Sequence, residues 1–345
     1  MVGGAGDGRK DGLGRFALCL DGRLCERARV AVTYAQLFLT ILPVFLLIAL
    51  GVLARRQEWI SQAGEDSMFN LVFRLFFPAL ILESVLTNPA VREPANLFLP
   101  PLAGFLITAG GMGIGWLVGR AFGLRVGSGL RTFALAVGMS NYGYLPLPIM
   151  ESLFGAESRG VLLVHNLGVE TAIWTVGLLV VSGASLRAGW RKLLNAPLVT
   201  LVVAVALNLS GVGELIPPVI WKIIHPLAAC AVPLGLLMTG VSIQPHLSAP
   251  GRLLEPRISA TAVFIRLALL PVVILLIARF GPWTEELRRV LVVQAAMPSA
   301  VLPVILARVY GGQPLIAVQI VLATTAMGLF SIPFWLKWGL AFANP

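Results

Sequence analysis

Apolar residues run through this sequence in long stretches that polar residues interrupt only briefly. A helix needs about 20 mostly apolar residues to cross roughly 30 Å of hydrocarbon. Ten stretches approach or exceed that length, although the sixth is short. We predict a membrane span in each of them: Tyr34–Ala54, Met68–Leu86, Leu97–Val118, Thr132–Phe154, Val161–Ser182, Leu198–Leu209, Ile216–Ile243, Ile258–Phe280, Val290–Tyr310 and Leu315–Leu340. The pattern therefore predicts an all-α membrane protein with about ten transmembrane helices.

The fourth stretch contains GMSNYGYLPLPIM, in which Asn141, Gly143, Pro146 and Pro148 all disfavour a helix. Unpaired backbone groups at membrane depth are tolerated only inside protein or beside a water-filled cavity. The N-terminus of a half-helix carries a partial positive charge, which suits an anion. We predict that this break is a binding site. The alternative is a kink that only shapes packing, since proline and glycine are common in membrane helices.

Two proline landmarks recur at one spacing, which indicates an internal repeat. Pro78 and Pro233 are 155 residues apart (233 − 78), and so are Pro148 and Pro303 (303 − 148). Because five spans per copy is an odd number, the second copy would lie inverted in the membrane. Broken helices at equivalent places in two inverted repeats indicate a transporter site. The predicted organisation is a disordered N-terminal tail and two five-helix repeats, at residues 1–32, 33–186 and 187–345.

Composition agrees with a membrane protein, because 57% of the 345 residues are hydrophobic, 12% are charged and the mean hydropathy is +0.88. The net charge of +10 does not indicate a nucleic-acid partner, because the basic residues are spread over short loops. Three cysteines, Cys19, Cys25 and Cys230, provide no disulfide framework.

The basic residues also predict the orientation in the membrane. Loops on the side of the 1–2 loop carry eleven Lys and Arg residues, and loops on the opposite side carry seven. The positive-inside rule then places the loop with Arg187, Arg191 and Lys192 in the cytoplasm and both termini outside. The six Lys and Arg residues of the tail favour the opposite orientation.

The interrupted spans resemble those of the auxin efflux carrier family, which includes plant auxin exporters and bacterial malate or malonate permeases. SNYGYLPLPIMESLFG in span 4 resembles the family's Asn-x-x-x-x-Gly-x-Pro break, and AAMPSAVLPVILARVYGG in span 9 resembles its Pro-x-x-x-x-Pro break. FRLFFPALILES, CAVPLGLLMTGVSI and IRLALLP are weaker matches, so the resemblance covers roughly residues 34–340.

The resemblance implies a scaffold domain of spans 1, 2, 6 and 7 and a transport domain of spans 3–5 and 8–10, with crossed helices 4 and 9. Asn141, Pro148, Pro298 and Pro303 match the family's crossover positions. Pro146 stands where the family usually has glycine, which implies a stiffer break. The expected substrate-binding residues are Asn141, Tyr142, Gly143, Tyr144, Pro146, Pro148, Met297, Pro298, Ser299, Ala300 and Pro303.

Other polar residues at membrane depth are candidates for function. Glu170, four residues after Asn166 and on the same helix face, is the candidate proton-coupling carboxylate, with a structural carboxylate as the alternative. Arg74 and Arg266 could bind an anion or pair with a carboxylate, but we favour a structural role for both. Residues that could line a path, or cap neighbouring helices, are Gln294, Thr324 and Thr325.

No enzyme signature is present. The three histidines lack metal-ligand spacing, and the chain has neither a G-x-S-x-G elbow nor a phosphate-binding loop. We predict a secondary transporter of small organic anions, such as dicarboxylates or auxin-like carboxylates, in the cell membrane, without a cofactor or a metal. The alternatives are a cation/proton antiporter of related architecture and, less favoured, an intramembrane enzyme or sensor. Membrane lipid surrounds the spans, and a homodimer through the scaffold domain is left open.

Overall fold

The chain folds as a set of helices, and the computed structural model describes residues 33–155, 158–183, 195–247 and 255–343. In these ranges every regular element is helical. The α-helices are α1 Tyr34–Arg56, α2 Gln62–Val85, α3 Ala95–Ala121, α4 Leu130–Gly138, α5 Pro146–Phe154, α6 Ser158–Ser182, α7 Ala196–Leu209, α8 Pro218–Leu247, α9 Pro256–Phe280, α10 Glu285–Ala296, α11 Leu302–Val309 and α12 Pro314–Ala343. Short 3₁₀ turns occupy Pro89–Arg92, Val126–Ser128 and Val212–Leu215.

Several sequence predictions concern residues outside the described ranges. They include the tail of residues 1–32, with Cys19 and Cys25, and the loop with Arg187, Arg191 and Lys192. Cys230 is within the described ranges and is exposed.

In the part of the chain that the structure describes, seven helices are long and apolar enough to cross a membrane, namely α1, α2, α3, α6, α8, α9 and α12. The other three predicted spans coincide with shorter helices. The sixth is α7, the fourth corresponds to α4 and α5, and the ninth to α10 and α11. A multi-pass helical membrane protein is therefore confirmed, and the number of ten crossings stays a prediction.

Close helix contacts join α1 to α8. A Cβ atom at Gly51 would overlap the carbonyl oxygen of Leu237, and a Cβ atom at Gly240 would overlap that of Ile48. Small residues permit this approach of two backbones, as is usual between membrane helices. α8 also packs against α2, which in turn contacts α7.

The remaining helices pack mainly with one another. α3 lies against α4 and α6, and α12 lies against α9, α10 and α11. Buried aliphatic residues of α10 occupy the centre of this group, because Leu287, Val290, Leu291, Val292 and Val293 are all fully buried. The arrangement encloses the short helices α4 and α10 among longer ones.

Three long helices contain a π-helical turn, at Val72–Phe76 in α2, Ile173–Gly177 in α6 and Ile265–Leu269 in α9. Such turns are rare and often lie at functional sites, since the extra residue changes the direction of a side chain. The first carries Arg74 and the third carries Arg266.

Candidate functional site

Two non-helical segments meet inside the helical bundle. The first, residues 139–145, separates α4 from α5, and the second, residues 297–301, separates α10 from α11. They form an antiparallel bridge at Ser140 and Ser299. The Asn141 N–H donates to the Pro298 carbonyl at 2.7 Å, and the Ala300 N–H donates to the Met139 carbonyl at 3.0 Å. Backbone groups that the helices leave unpaired thus satisfy each other.

Side chains from other helices hold the remaining backbone groups of these two segments. The Tyr142 carbonyl accepts from the Asn166 amide at 2.9 Å and from the Gln294 amide at 3.4 Å. The Ser299 N–H donates to the Thr324 hydroxyl at 3.2 Å. Gln294 and Thr324 are buried. They therefore support the crossing segments, as caps do, and do not line an open path.

Asn141 stabilises the start of α5. Its side-chain oxygen accepts from the Leu145 N–H at 3.4 Å, and the Gly143 carbonyl accepts from the Leu147 N–H at 3.2 Å. Pro146 is the first residue of α5, where its missing N–H has little cost. The prolines therefore begin the second helix, and the interruption itself lies before them.

A cavity of about 600 Å³ opens beside the first non-helical segment. This volume is within the usual range for a small-molecule site. Six aromatic side chains line it: Phe69, Phe73, Phe77, Tyr142, Tyr144 and Trp174. The other lining residues are Val72, Arg74, Asn141, Gly143, Glu170, Asn195, Pro197, Gly235, Met238, Thr239, Ser242, Ala300, Val301, Leu302 and Ile305.

Arg74 is the only cation among the described residues that line this cavity. It is exposed, and it has no hydrogen-bond or ion-pair partner within the described part of the chain. A guanidinium group offers a planar set of donors that matches a carboxylate. The cavity therefore presents an uncompensated positive charge to a ligand.

Glu170 faces the same cavity and, unlike Arg74, has hydrogen-bond partners among the described residues. Its carboxylate accepts from the Tyr142 hydroxyl at 2.6 Å, from the Trp174 indole N–H at 2.8 Å, and from the Asn195 side chain. All three donors are neutral, so no cation pairs with this carboxyl group within the described part of the chain. Such a group can hold or release a proton without breaking an ion pair.

Tyr144 lies between the break and the opposite wall. Its ring packs edge-on against Phe77, with centroids 5.7 Å apart, and rests on the backbone of Gly235 in α8. A Cβ atom at Gly235 would overlap the Tyr144 ring. The absence of a side chain at Gly235 therefore allows the Tyr144 ring to pack at this position.

A second cavity of about 370 Å³ shares four lining residues with the first, Phe69, Ser242, Val301 and Ile305. Its other lining residues include Gln62, Glu65, Asp66 and Arg308. The two cavities are therefore adjacent, and the second extends towards the beginning of α2.

The structure brings together about half of the predicted binding residues at the cavity. Those that line it are Asn141, Tyr142, Gly143, Tyr144 and Ala300, together with Glu170. The others are not among its lining residues: Pro146, Pro148, Met297, Pro298, Ser299, Pro303 and Asn166. Met297, Pro298, Ser299 and Asn166 instead hold the two crossing segments through hydrogen bonds.

Sequence reasoning missed several cavity residues. We favoured a structural role for Arg74, which lies on the cavity wall and has no partner within the described residues. The aromatic residues Phe69, Phe73 and Phe77 follow a four-residue period along α2, and that period could have indicated one aromatic face. Trp174 is four residues after Glu170, within hydrogen-bonding reach on a helix, which is also visible in the sequence.

Comparison with known proteins gives one consistent result. The family model described as "Membrane transport protein" matches residues 36–187 and 184–336. A protein of Methanothermobacter thermautotrophicus described as an uncharacterized transporter is 25% identical over 303 residues, which is 86% of this chain and 96% of that protein. Another uncharacterized transporter, from Methanocaldococcus jannaschii, is 22% identical over 302 residues, with the same two coverages.

Proposed function

Because the chain belongs to the auxin efflux carrier family of membrane transport proteins, we propose that it is a secondary transporter of small organic anions in the cell membrane. The observation that carries this proposal is Arg74, a cation on the wall of a cavity beside the crossing segments that has no partner within the described residues. An ionisable group at membrane depth is costly unless a ligand or a partner compensates it. A substrate carboxylate supplies that compensation.

The lining of the cavity favours one type of anion. Among the described residues, six aromatic side chains and a single cation line the cavity, so a ligand with one carboxylate and an apolar body fits better than a dicarboxylate. A second carboxylate of the ligand would be removed from water without a cationic partner. Among the two substrate types considered, auxin-like monocarboxylates are therefore preferred over malate-like dicarboxylates.

The proposed mechanism is alternating access. α1, α2, α7 and α8 form the scaffold, and the other helices move with the crossing segments against it. The order of long and short helices, α1–α6 and then α7–α12, supports two inverted five-helix repeats with ten crossings. The second cavity is the route to one side of the membrane. In this proposal both termini lie outside, and two copies can associate through the scaffold.

Glu170 is the proposed proton-coupling group, with Asn166 as the residue that holds the neighbouring Tyr142 carbonyl. The carboxyl group reaches the cavity, and its donors among the described residues are all neutral. This observation also favours the second candidate, a cation/proton antiporter. The two candidate functions predict different ligands beside Arg74. An organic anion would be attracted to this positive charge, and a cation would be repelled by it.

The test is ligand-dependent thermal stabilisation of the purified full-length protein. A ligand that binds only the folded state raises the midpoint of unfolding. Phenylacetate, indole-3-acetate, malate and malonate would each be titrated at constant ionic strength. We expect stabilisation by the two monocarboxylates and less by the two dicarboxylates. Stabilisation by none of these anions, together with stabilisation by an alkali cation, would support the antiporter.

A further inference from the structure

Arg266 is a buried cation that is not part of the cavity. The residue is 1% exposed and belongs to the π-helical turn of α9. Its Nε donates to the Met297 carbonyl at 2.8 Å, and one terminal nitrogen donates to the Gln294 carbonyl at 3.3 Å. Both carbonyls lie at the C-terminal end of α10, where the helix is interrupted.

This cation is not half of an ion pair. Within the described residues no carboxylate lies within 4 Å of Arg266. A guanidinium group stays protonated inside proteins, so it is a permanent charge. Its hydrogen-bond partners among the described residues are the carbonyl groups at the end of α10, and a helix C-terminus carries about half a negative charge.

The two interrupted helices differ in this respect. At the first interruption the Tyr142 carbonyl is held by the neutral amides of Asn166 and Gln294. At the second, a guanidinium group holds the Gln294 and Met297 carbonyls. Within the described residues, a charged side chain thus donates to the carbonyls at the second break, and only neutral side chains donate to the Tyr142 carbonyl at the first.

The local structure fixes Arg266 at this place. A π-helical turn leaves a backbone carbonyl without its usual partner, and here the Trp335 indole N–H donates to the Leu267 carbonyl at 2.6 Å. This bond ties the turn that carries Arg266 to α12. The orientation of the guanidinium group is therefore supported from a second helix.

Carbonyl oxygens at unwound segments and half-helix C-termini coordinate the coupling Na⁺ in many secondary transporters. In this chain the Arg266 side chain donates hydrogen bonds to carbonyl oxygens of this kind. We propose that Arg266 is a positioning residue that supplies, as a tethered cation, the charge that a bound alkali ion would supply at the end of α10. Ligand binding therefore does not require Na⁺. This inference rests on the proposed transport function for its meaning, but its first test needs no substrate.

The first test measures the unfolding midpoint of the purified full-length protein in NaCl and in choline chloride at equal ionic strength, without any carboxylate. We expect the same midpoint for the wild type in both salts. Arg266→Ala leaves two buried carbonyls without their charged donor, so its midpoint in choline should fall by roughly 5 °C or more. Na⁺ or guanidinium ions should restore part of that loss in the variant only.

The matched control is Arg279→Ala. Arg279 also donates to a backbone carbonyl, that of Phe342, but it is exposed at the end of α9. Its loss should not create any dependence on Na⁺ or guanidinium. Arg266→Lys keeps the charge and should lose less stability than Arg266→Met, which keeps most of the volume without a donor.

A second test measures the affinity for phenylacetate in the two salts. We expect the same dissociation constant for the wild type, and for Arg266→Ala a weakening that Na⁺ or guanidinium partly reverses. Wild-type stability or affinity that rises with Na⁺ at constant ionic strength would overturn the proposal. Equal stability of the Lys and Met variants would also overturn it, and this comparison remains if Arg266→Ala does not fold. Failure of every carboxylate to bind would contradict the transport proposal and leave the salt comparison intact.

Discussion

The backbone N–H of Asn141 donates a 2.7 Å hydrogen bond to the carbonyl oxygen of Pro298, and this bond joins the two interrupted regions of the chain. The Asn141 side chain takes no part in this bond, and its oxygen accepts from the Leu145 N–H at the start of α5. Asn141 thus joins the two segments through its backbone, bonds to the start of α5 through its side chain, and lines the cavity.

Asn141→Ala should weaken ligand binding without disrupting the crossing, because the backbone bond to Pro298 does not depend on the side chain. We expect a loss of about 1–3 kcal/mol in binding free energy, as is typical when one partner of a buried hydrogen bond is removed. Phenylacetate titration of purified protein measures it. Asn70→Ala is the control, since Asn70 is exposed on α2 and bonds only to the Asp66 carbonyl. Unchanged affinity in Asn141→Ala would show that the first break is structural.

Arg74→Gln should reduce the affinity for carboxylates, because it removes the only cation of the described cavity wall. A charge-assisted hydrogen bond contributes about 1.5–3 kcal/mol, so we expect the dissociation constant to rise by roughly 10- to 100-fold. Arg120→Gln removes an exposed charge at the end of α3 and should have no such effect. An equal loss in both variants would indicate a general effect of net charge and count against the proposed site.

Glu170→Gln tests proton coupling. The glutamine amide is close to the carboxyl group in size but does not bind and release a proton. In proteoliposomes we expect wild-type uptake of phenylacetate to respond to an imposed pH gradient and uptake by the variant not to respond. Binding of phenylacetate should persist in the variant, since the carboxylate of the ligand is proposed to bind at Arg74 and Glu170 bonds instead to Tyr142 and Trp174. A variant that still follows the pH gradient would assign the coupling to another group.

Gly235→Ala should impair transport because the added methyl group overlaps the ring of Tyr144. The helix itself should tolerate alanine, which favours helix more than glycine does. The decisive measurement is a double-mutant cycle with Tyr144→Ala. We expect Gly235→Ala to have little further effect on uptake once the ring is absent. Additive losses would mean that the glycine acts through something other than this contact.

Cysteine labelling tests the orientation. In a background without Cys19, Cys25 and Cys230, Gln57→Cys lies in the loop after α1, and Thr87→Cys lies in the loop after α2. The side of the membrane with the loop after α1 carries the excess of Lys and Arg residues and is predicted to be cytoplasmic. An impermeant reagent added to intact cells should therefore modify Thr87→Cys and leave Gln57→Cys unmodified. The reverse pattern would invert the topology.

The sequence by itself determined the class of the protein and the family. Long apolar stretches are a local property, and they correctly predicted a multi-pass helical protein, since seven helices among the described residues are long and apolar enough to cross a membrane. The break motifs indicated the auxin efflux carrier family, and the family match confirms it. The motif around Asn141 also located the first interruption, although its limits differ, because Pro146 and Pro148 belong to the first turn of α5.

Only the tertiary structure decided which side chains share a site. The rotation of each helix sets the direction of a side chain, and the π-helical turns at Arg74 and Arg266 change that direction locally. The sequence therefore could not distinguish Arg74, which lines the cavity, from Arg266, which holds the end of α10. The bond between Asn141 and Pro298 likewise depends on how distant helices pack, since the spacing of residues along the chain does not fix contacts between segments so far apart.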